Sequence, residues 1–146
     1  MVGGVWLAYV LWHAMYSGRA ADFSWVYSIG EILRQQGPSS LYDFSAISER
    51  MARYFPLEPC PLPFVRPPFY ALLIAPLSLL SPLAAQQVWL LLNAAAFVAA
   101  TRLLAGALNR EWSEVAWHAV IFYPAFYSFY NRQDLGWLLL PVAACY

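Results

Sequence analysis

From Leu83 to Ala105 the chain runs for 23 residues with a single charge, Arg102, and few polar side chains. Wound as an α-helix at 1.5 Å per residue, such a stretch is about 35 Å long, enough to cross a bilayer's hydrocarbon core with some tilt. Composition points the same way. Of the 146 residues, 62% are hydrophobic and 11% charged, against roughly 25% charged in an average soluble domain. Mean hydropathy is +0.52. The chain therefore reads as an integral membrane protein with an all-α, polytopic helix-bundle fold.

Four further apolar segments surround this one. Val2 to Tyr16 is 15 residues, slightly short of a full crossing. No Lys or Arg precedes it, and the small pair Ala20-Ala21 lies beyond Arg19, so it reads as a retained membrane helix rather than a cleaved leader. The missing basic flank also points to a start further upstream. Residues 69–80 are apolar and broken by Pro76, a length more typical of re-entrant or interfacial helices than of spanning ones. Residues 115–130 form another span with a kink expected at Pro124. The last segment, 135–146, is still apolar at Tyr146. A chain end inside hydrocarbon would leave carbonyls unpaired, so the expectation is a longer protein of which this is the first part.

The polar residues concentrate between 17 and 66. This loop holds five of the eight arginines and five of the eight acids. Phe23, Val26, Tyr27, Gly30 and Leu33 follow helical spacing, with Asp22 in the N-cap position and Gly37-Pro38 as the stop. Phe44, Ile47, Met51, Tyr54 and Phe55 make a second stripe behind Asp43, with Glu49, Arg50 and Arg53 read as lying off it. Amphipathic helices of this kind can rest on a membrane surface. The prolines at 56, 59, 61, 63, 67 and 68 then keep the chain extended.

Arginine placement gives an orientation. The short loop with Arg102 and Arg110, flanked by Trp112 and Trp117, is expected on the cytoplasmic side. Loop 17–66 and Asn131-Arg132-Gln133-Asp134 then share the outer face. All eight basic residues are arginine and the net charge is zero, which leaves no electrostatic case for nucleic acid. Seven Trp and ten Tyr suit the two interfaces of a bilayer. Cys60 and Cys145 make no disulfide framework.

Few residues can carry chemistry. Asp22 either caps the following helix or serves as a general base for a hydroxyl at the membrane rim. Arg66 either holds a phosphate or snorkels to headgroups. Arg132, Gln133 and Asp134 either line a polar pocket or form a loop with its own ion pair. His13 and His118 lie in apolar helices at a spacing that fits no metal site. No His/Cys cluster, Gly-rich phosphate loop or nucleophile elbow is present, so no metal and no cofactor is expected.

The stretch Asp22-Phe23-Ser24-Trp25-Val26-Tyr27, followed by Gly37 and then Leu41-Tyr42-Asp43, resembles the first outer loop of polyprenyl-phosphate-sugar-dependent glycosyltransferases of the C-type membrane fold. The run Phe64-Val65-Arg66-Pro67-Pro68-Phe69-Tyr70-Ala71-Leu72-Leu73-Ile74-Ala75-Pro76-Leu77 resembles the most recognisable stretch of glycosyltransferase family 87. Trp89-Leu90-Leu91-Leu92-Asn93 continues the likeness. Arg132-Gln133 before an apolar helix is similar to a Gly-Gln element in that family. Two departures stand out: Arg66 where an aromatic is common, and Arg132 where Gly is common.

The resemblance implies a multi-pass enzyme of the cell membrane with its site on the outer face. The donor would be a sugar, often mannose, on a polyprenyl phosphate, and the acceptor a glycan or glycolipid hydroxyl. Asp22 matches the family's catalytic base, and Arg66, Arg132 and Gln133 become candidate substrate-binding residues. A transporter piece or an assembly scaffold is the other reading. Transporters favour polar or broken helices near the bilayer midplane, whereas ionisable groups here crowd the outer face.

Overall fold

The computed structural model describes Trp12, residues 22–56 and residues 63–146. The first apolar segment with His13 and Arg19, and the part of the proline run around Cys60, lie outside the described residues. Those described are helical or turn, with no strand among them. They divide into two compact units, one within Gly18–Val88 and the other made by Trp89–Tyr146 together with Trp12.

The first unit is built around α1 (Asp22–Gln36). Gly37, at φ 85°, takes a left-handed turn that suits glycine, donates its amide to Leu33 O at 3.1 Å, and hands the chain to a 3-10 turn, Pro38–Ser40. Next comes α2 (Phe44–Tyr54), which starts where the sequence places its cap. The Asp43 carboxylate accepts from the Ser45 and Ala46 amides at 2.9 and 3.3 Å. The Ser45 hydroxyl, then those amides, hold the Asp43 carboxyl below its usual range. The proline-rich stretch leads into α3 (Pro68–Ile74). Pro76 has no amide hydrogen to continue that helix, and the chain tightens into a second 3-10 segment, Ala75–Leu79.

Instead of resting on a surface, α1 is the axle of its unit. From Phe23 to Ile32 every residue is buried except the half-buried Trp25. The reason is that α2, α3 and the Ala75–Leu79 segment all pack on it. Phe23, Ile29, Ile32 and Ile47 are fully buried, each contributing about 1.5–3 kcal/mol of apolar transfer free energy. At Gly30 the approach is close: an added Cβ would lie 3.0 Å from Ile74 O and 3.3 Å from Ala75 Cα. The stripe of α2 also faces inward, apart from Phe44.

In the second unit the long helix is α4 (Pro82–Ala107), whose first residues belong to the other unit. Its 26 residues make it the one helix among those described that is long and apolar enough to cross a membrane. One face, with Trp89, Asn93, Ala96, Phe97 and Ala100, is buried, and Leu91, Leu92, Val98 and Leu103 are exposed. Span 115–130 is two helices, α5 (Trp112–Ile121) and α6 (Tyr123–Tyr130). Pro124 cannot donate to the carbonyl one turn back, and the break falls at Phe122, whose ψ is 111°. The start of α5 folds back on the end of α4. Trp112 Nε1 donates to Thr101 Oγ1 at 3.2 Å, and the Arg102 guanidinium lies 4.8 Å from the Trp112 ring centroid.

The last helix, α7 (Leu135–Ala144), meets α4 directly. Gly136 lies so close that an added Cβ would collide with the Asn93 carbonyl oxygen and sit 3.0 Å from its carbon. Nothing lies within 4 Å of a Cβ at Gly106. Gly136→Ala is therefore expected to destabilise the solubilised protein by about 1–3 kcal/mol through overpacking, while Gly106→Ala leaves it unchanged or slightly stabilised. Thermal melts of the two variants make the check. Equal melting temperatures would contradict the close α4–α7 approach.

Candidate active site

Asp22 is the first described residue of α1 and is exposed. It lies in the first helical turn, where a carboxylate complements the partial positive charge of the helix start. Trp25 stands three residues on, hence on the same helix face. Its ring packs on Phe64, 5.4 Å between centroids. Phe64, buried, also packs on Tyr42 at 5.4 Å, and the Tyr42 hydroxyl donates to Arg66 O at 3.3 Å. An aromatic chain thus joins the Asp22 turn to the backbone of Arg66. The half-buried Arg66 guanidinium lies 5.0 Å from the Tyr70 ring centroid.

Arg132 and Gln133 belong to the second unit, in the turn between α6 and α7. Arg132 takes φ 57°, the left-handed region that glycine enters freely and that costs another residue about 1–2 kcal/mol. This is the position at which the resembling element carries Gly. The Arg132 carbonyl accepts from Trp89 Nε1 at 3.0 Å, and its side chain is buried, as is Asp134. Gln133 is half-buried; its Oε1 accepts from the Ser128 hydroxyl at 3.2 Å. The turn is thus built into the α4 surface. The four candidate residues fall two in each unit. His118 is exposed, with Nδ1 2.8 Å from Glu114 O of its own helix. Among the described residues no three His, Cys, Asp or Glu side chains gather as metal ligands would.

A charged cluster that the sequence reading passed over lies inside the first unit. Glu31, 3% exposed, accepts at Oε1 from the Tyr54 hydroxyl at 2.7 Å and from Gln35 Nε2 at 2.8 Å. Its Oε2 lies 3.8 Å from Nη1 of Arg50, which is 8% exposed. Neither Glu31 Oε2 nor Arg50 Nε has a hydrogen-bond partner. Arg50 thus lies on the inner face of α2, not off the stripe. Its spacing from Ala46, Ile47 and Tyr54 is i+4, i+3 and i−4, and that was the available signal. Glu31 likewise follows Phe23 and Tyr27 at intervals of four.

Three residues on from Glu31 along α1, Arg34 Nε donates to Ser78 Oγ at 3.0 Å, and that hydroxyl donates to Ala75 O at 2.7 Å. The Tyr27 hydroxyl donates to Leu80 O at 3.0 Å. Burial, then Glu31 and Tyr54, push the Tyr27 hydroxyl above its usual 10.0, with Arg34 opposing.

The comparisons bear on this arrangement. Residues 64–145 match the model of glycosyltransferase family 87, and the chain belongs to that family. It is accordingly a glycosyltransferase, working between a sugar donor and an acceptor. The family is membrane-associated, in keeping with α4. Arg66, Arg132 and Gln133 fall inside the matched span, and Asp22 precedes it. No curated protein and no solved structure matches the chain.

Two outcomes follow from the cluster. Arg50→Met alone strands a buried carboxylate and is expected to cost about 3–5 kcal/mol, whereas Glu31→Leu combined with Arg50→Met costs less. A double-mutant cycle by chemical denaturation measures this; strictly additive losses would contradict the pairing. The raised Tyr27 value sets an alkaline limit. The folded state holds that proton more tightly, so its contribution is complete below pH 10.0 and lost as pH rises through the folded value. Melting temperatures of wild type should fall more steeply above that pH than those of Tyr27→Phe.

Proposed function

We propose that the protein transfers a hexose, with mannose the favoured case, from a polyprenyl-phosphate-linked donor to a hydroxyl of a glycan or glycolipid. The site lies on the outer face of the cell membrane, in a multi-pass helical bundle of the C-type glycosyltransferase kind. Asp22 is the general base. Its carboxylate takes the proton of the acceptor hydroxyl as that oxygen attacks the anomeric carbon. The bond from that carbon to the phosphate oxygen breaks, and the pair of electrons leaves with the lipid phosphate. Configuration at the anomeric carbon inverts.

Charge builds on the departing phosphate, and a guanidinium can meet it with two parallel hydrogen bonds. Arg66 has this role. Arg132 and Gln133 are the second unit's candidates for contact with substrate. Gln133 is the one of the two with its side chain partly open, and buried Arg132 shapes the turn that presents it.

The observation that carries this reading is the aromatic chain Trp25–Phe64–Tyr42, which ties the Asp22 turn to the Arg66 backbone within one packed unit. A base and a cation held on one small scaffold are what a single-displacement transfer needs, because misplacement of either raises the barrier steeply. Family membership supplies the reaction class.

In membranes from cells making the protein, Asp22→Asn is expected to lower sugar transfer by at least about a hundredfold, with membrane insertion and amount unchanged. Retention of transfer by this isosteric variant would remove Asp22 from the mechanism. Arg66→Lys should keep the charge yet lose the bidentate geometry, giving an intermediate loss.

A further inference from the structure

Arg66 is secured at both its main chain and its side chain. The residue after it is Pro67, and a proline disfavours the helical region for the residue before it, so the Arg66 backbone is biased to extended conformations. Pro67 takes φ −61° and ψ 149°, and its carbonyl accepts from the Tyr70 amide at 3.0 Å as α3 begins. That closed turn fixes where Tyr70 stands relative to Arg66. The half-buried Tyr70 ring then receives the Arg66 guanidinium, 5.0 Å from its centroid. From a different element, the turn before α2, the Tyr42 hydroxyl donates to the Arg66 carbonyl at 3.3 Å. The Tyr42 ring is itself seated on buried Phe64.

Such holding matters more for arginine than for most side chains. A long side chain loses much rotamer freedom when it grips an anion, and a guanidinium already placed loses less. A ring face suits the task, because its quadrupole attracts the cation without neutralising the charge. In the reaction proposed above, the donor's phosphate carries one negative charge, and the departing lipid phosphate carries about two. Attraction to Arg66 therefore grows along the reaction, and an interaction that strengthens toward the transition state raises kcat.

We propose that Tyr70 and Tyr42 are positioning residues for Arg66, the first holding its guanidinium and the second its backbone, so that the cation is in place before the lipid phosphate departs. This rests on the phosphate role given to Arg66 above. Neither tyrosine touches the reacting atoms; each acts through the arginine.

The test uses the protein in membranes, at matched amounts, with polyprenyl-phosphate mannose as donor. Tyr70→Leu removes the ring and keeps an apolar side chain; kcat is expected to fall about three- to fivefold with KM little changed. Tyr70→Phe keeps the ring face and should recover most of that loss. Tyr42→Phe keeps the ring on Phe64, removes only the hydroxyl, and should lower kcat about twofold. In an Arg66→Gln background neither Tyr70→Leu nor Tyr42→Phe should lower kcat further, because each acts through the guanidinium. The same losses in that background, or no rescue by Tyr70→Phe, overturn the proposal and leave the tyrosines as ordinary packing. A readout free of catalysis accompanies it, the binding of polyprenyl phosphate against that of uncharged polyprenol. Tyr70→Leu should weaken the phosphate and spare the alcohol; equal weakening of both overturns the proposal. Loss of transfer in Arg66→Gln with wild-type behaviour of Tyr70→Leu removes the positioning role and keeps the proposed reaction. Phosphate binding that depends on Tyr70, in protein that transfers no mannose from the lipid donor, sinks the proposed reaction and keeps the positioning role.

Discussion

Everything in the first unit depends on α1 being enclosed. An isolated 15-residue helix is marginal in water. This one is held by apolar burial against its neighbours and by polar ties from successive turns. Glu31 reaches across to Tyr54 and Arg50 of α2, while Arg34 and Tyr27 reach the Ala75–Leu80 backbone and side chains. The buried ion pair is not the source of stability, since a 3.8 Å contact with two unbonded polar atoms gains little over its desolvation cost. What it supplies is specificity. Sliding α2 by one residue along α1 would leave both charges alone in the interior. The register that brings Ile47 and Met51 against α1 is thereby the one in which Glu31 and Arg50 meet.

Much of this architecture could be read from the residues in advance. Asp43 was legible as a cap because a cap is local chemistry, settled within three residues. The Gly37-Pro38 stop and the long helix through Leu83–Ala105 were equally local, one by backbone freedom and the other by length and polarity. The Pro124 interruption was visible, though not its place, at Phe122. Periodicity suggested amphipathic helices, but α1 is wrapped, because an apolar stripe reports that something covers it and not what does. Glu31 and Arg50 were missed for the same reason. A charge on an inward face looks anomalous in sequence until its partner, nineteen residues away, is known to face it.

The candidate site was legible in kind rather than in construction. Resemblance singled out Asp22, Arg66, Arg132 and Gln133. The aromatic chain that joins Asp22's turn to Arg66 has no sequence signature, since Trp25, Tyr42 and Phe64 come from three separate elements. At Arg132 the departure from glycine now has a physical side. The position takes φ 57°, and an arginine there accepts backbone strain while its carbonyl anchors the Trp89 indole. The strain is offset by the neighbouring bonds of a turn packed against α4.

The central claim is that this family 87 chain draws its sugar from a lipid phosphate. The most direct test supplies membranes containing the protein with an acceptor glycan and one of two radiolabelled donors. One is polyprenyl-phosphate mannose, and the other is the nucleotide-linked sugar with lipid-donor synthesis blocked. Transfer from the lipid-linked donor alone is the predicted result. Transfer from the nucleotide sugar alone would contradict the account.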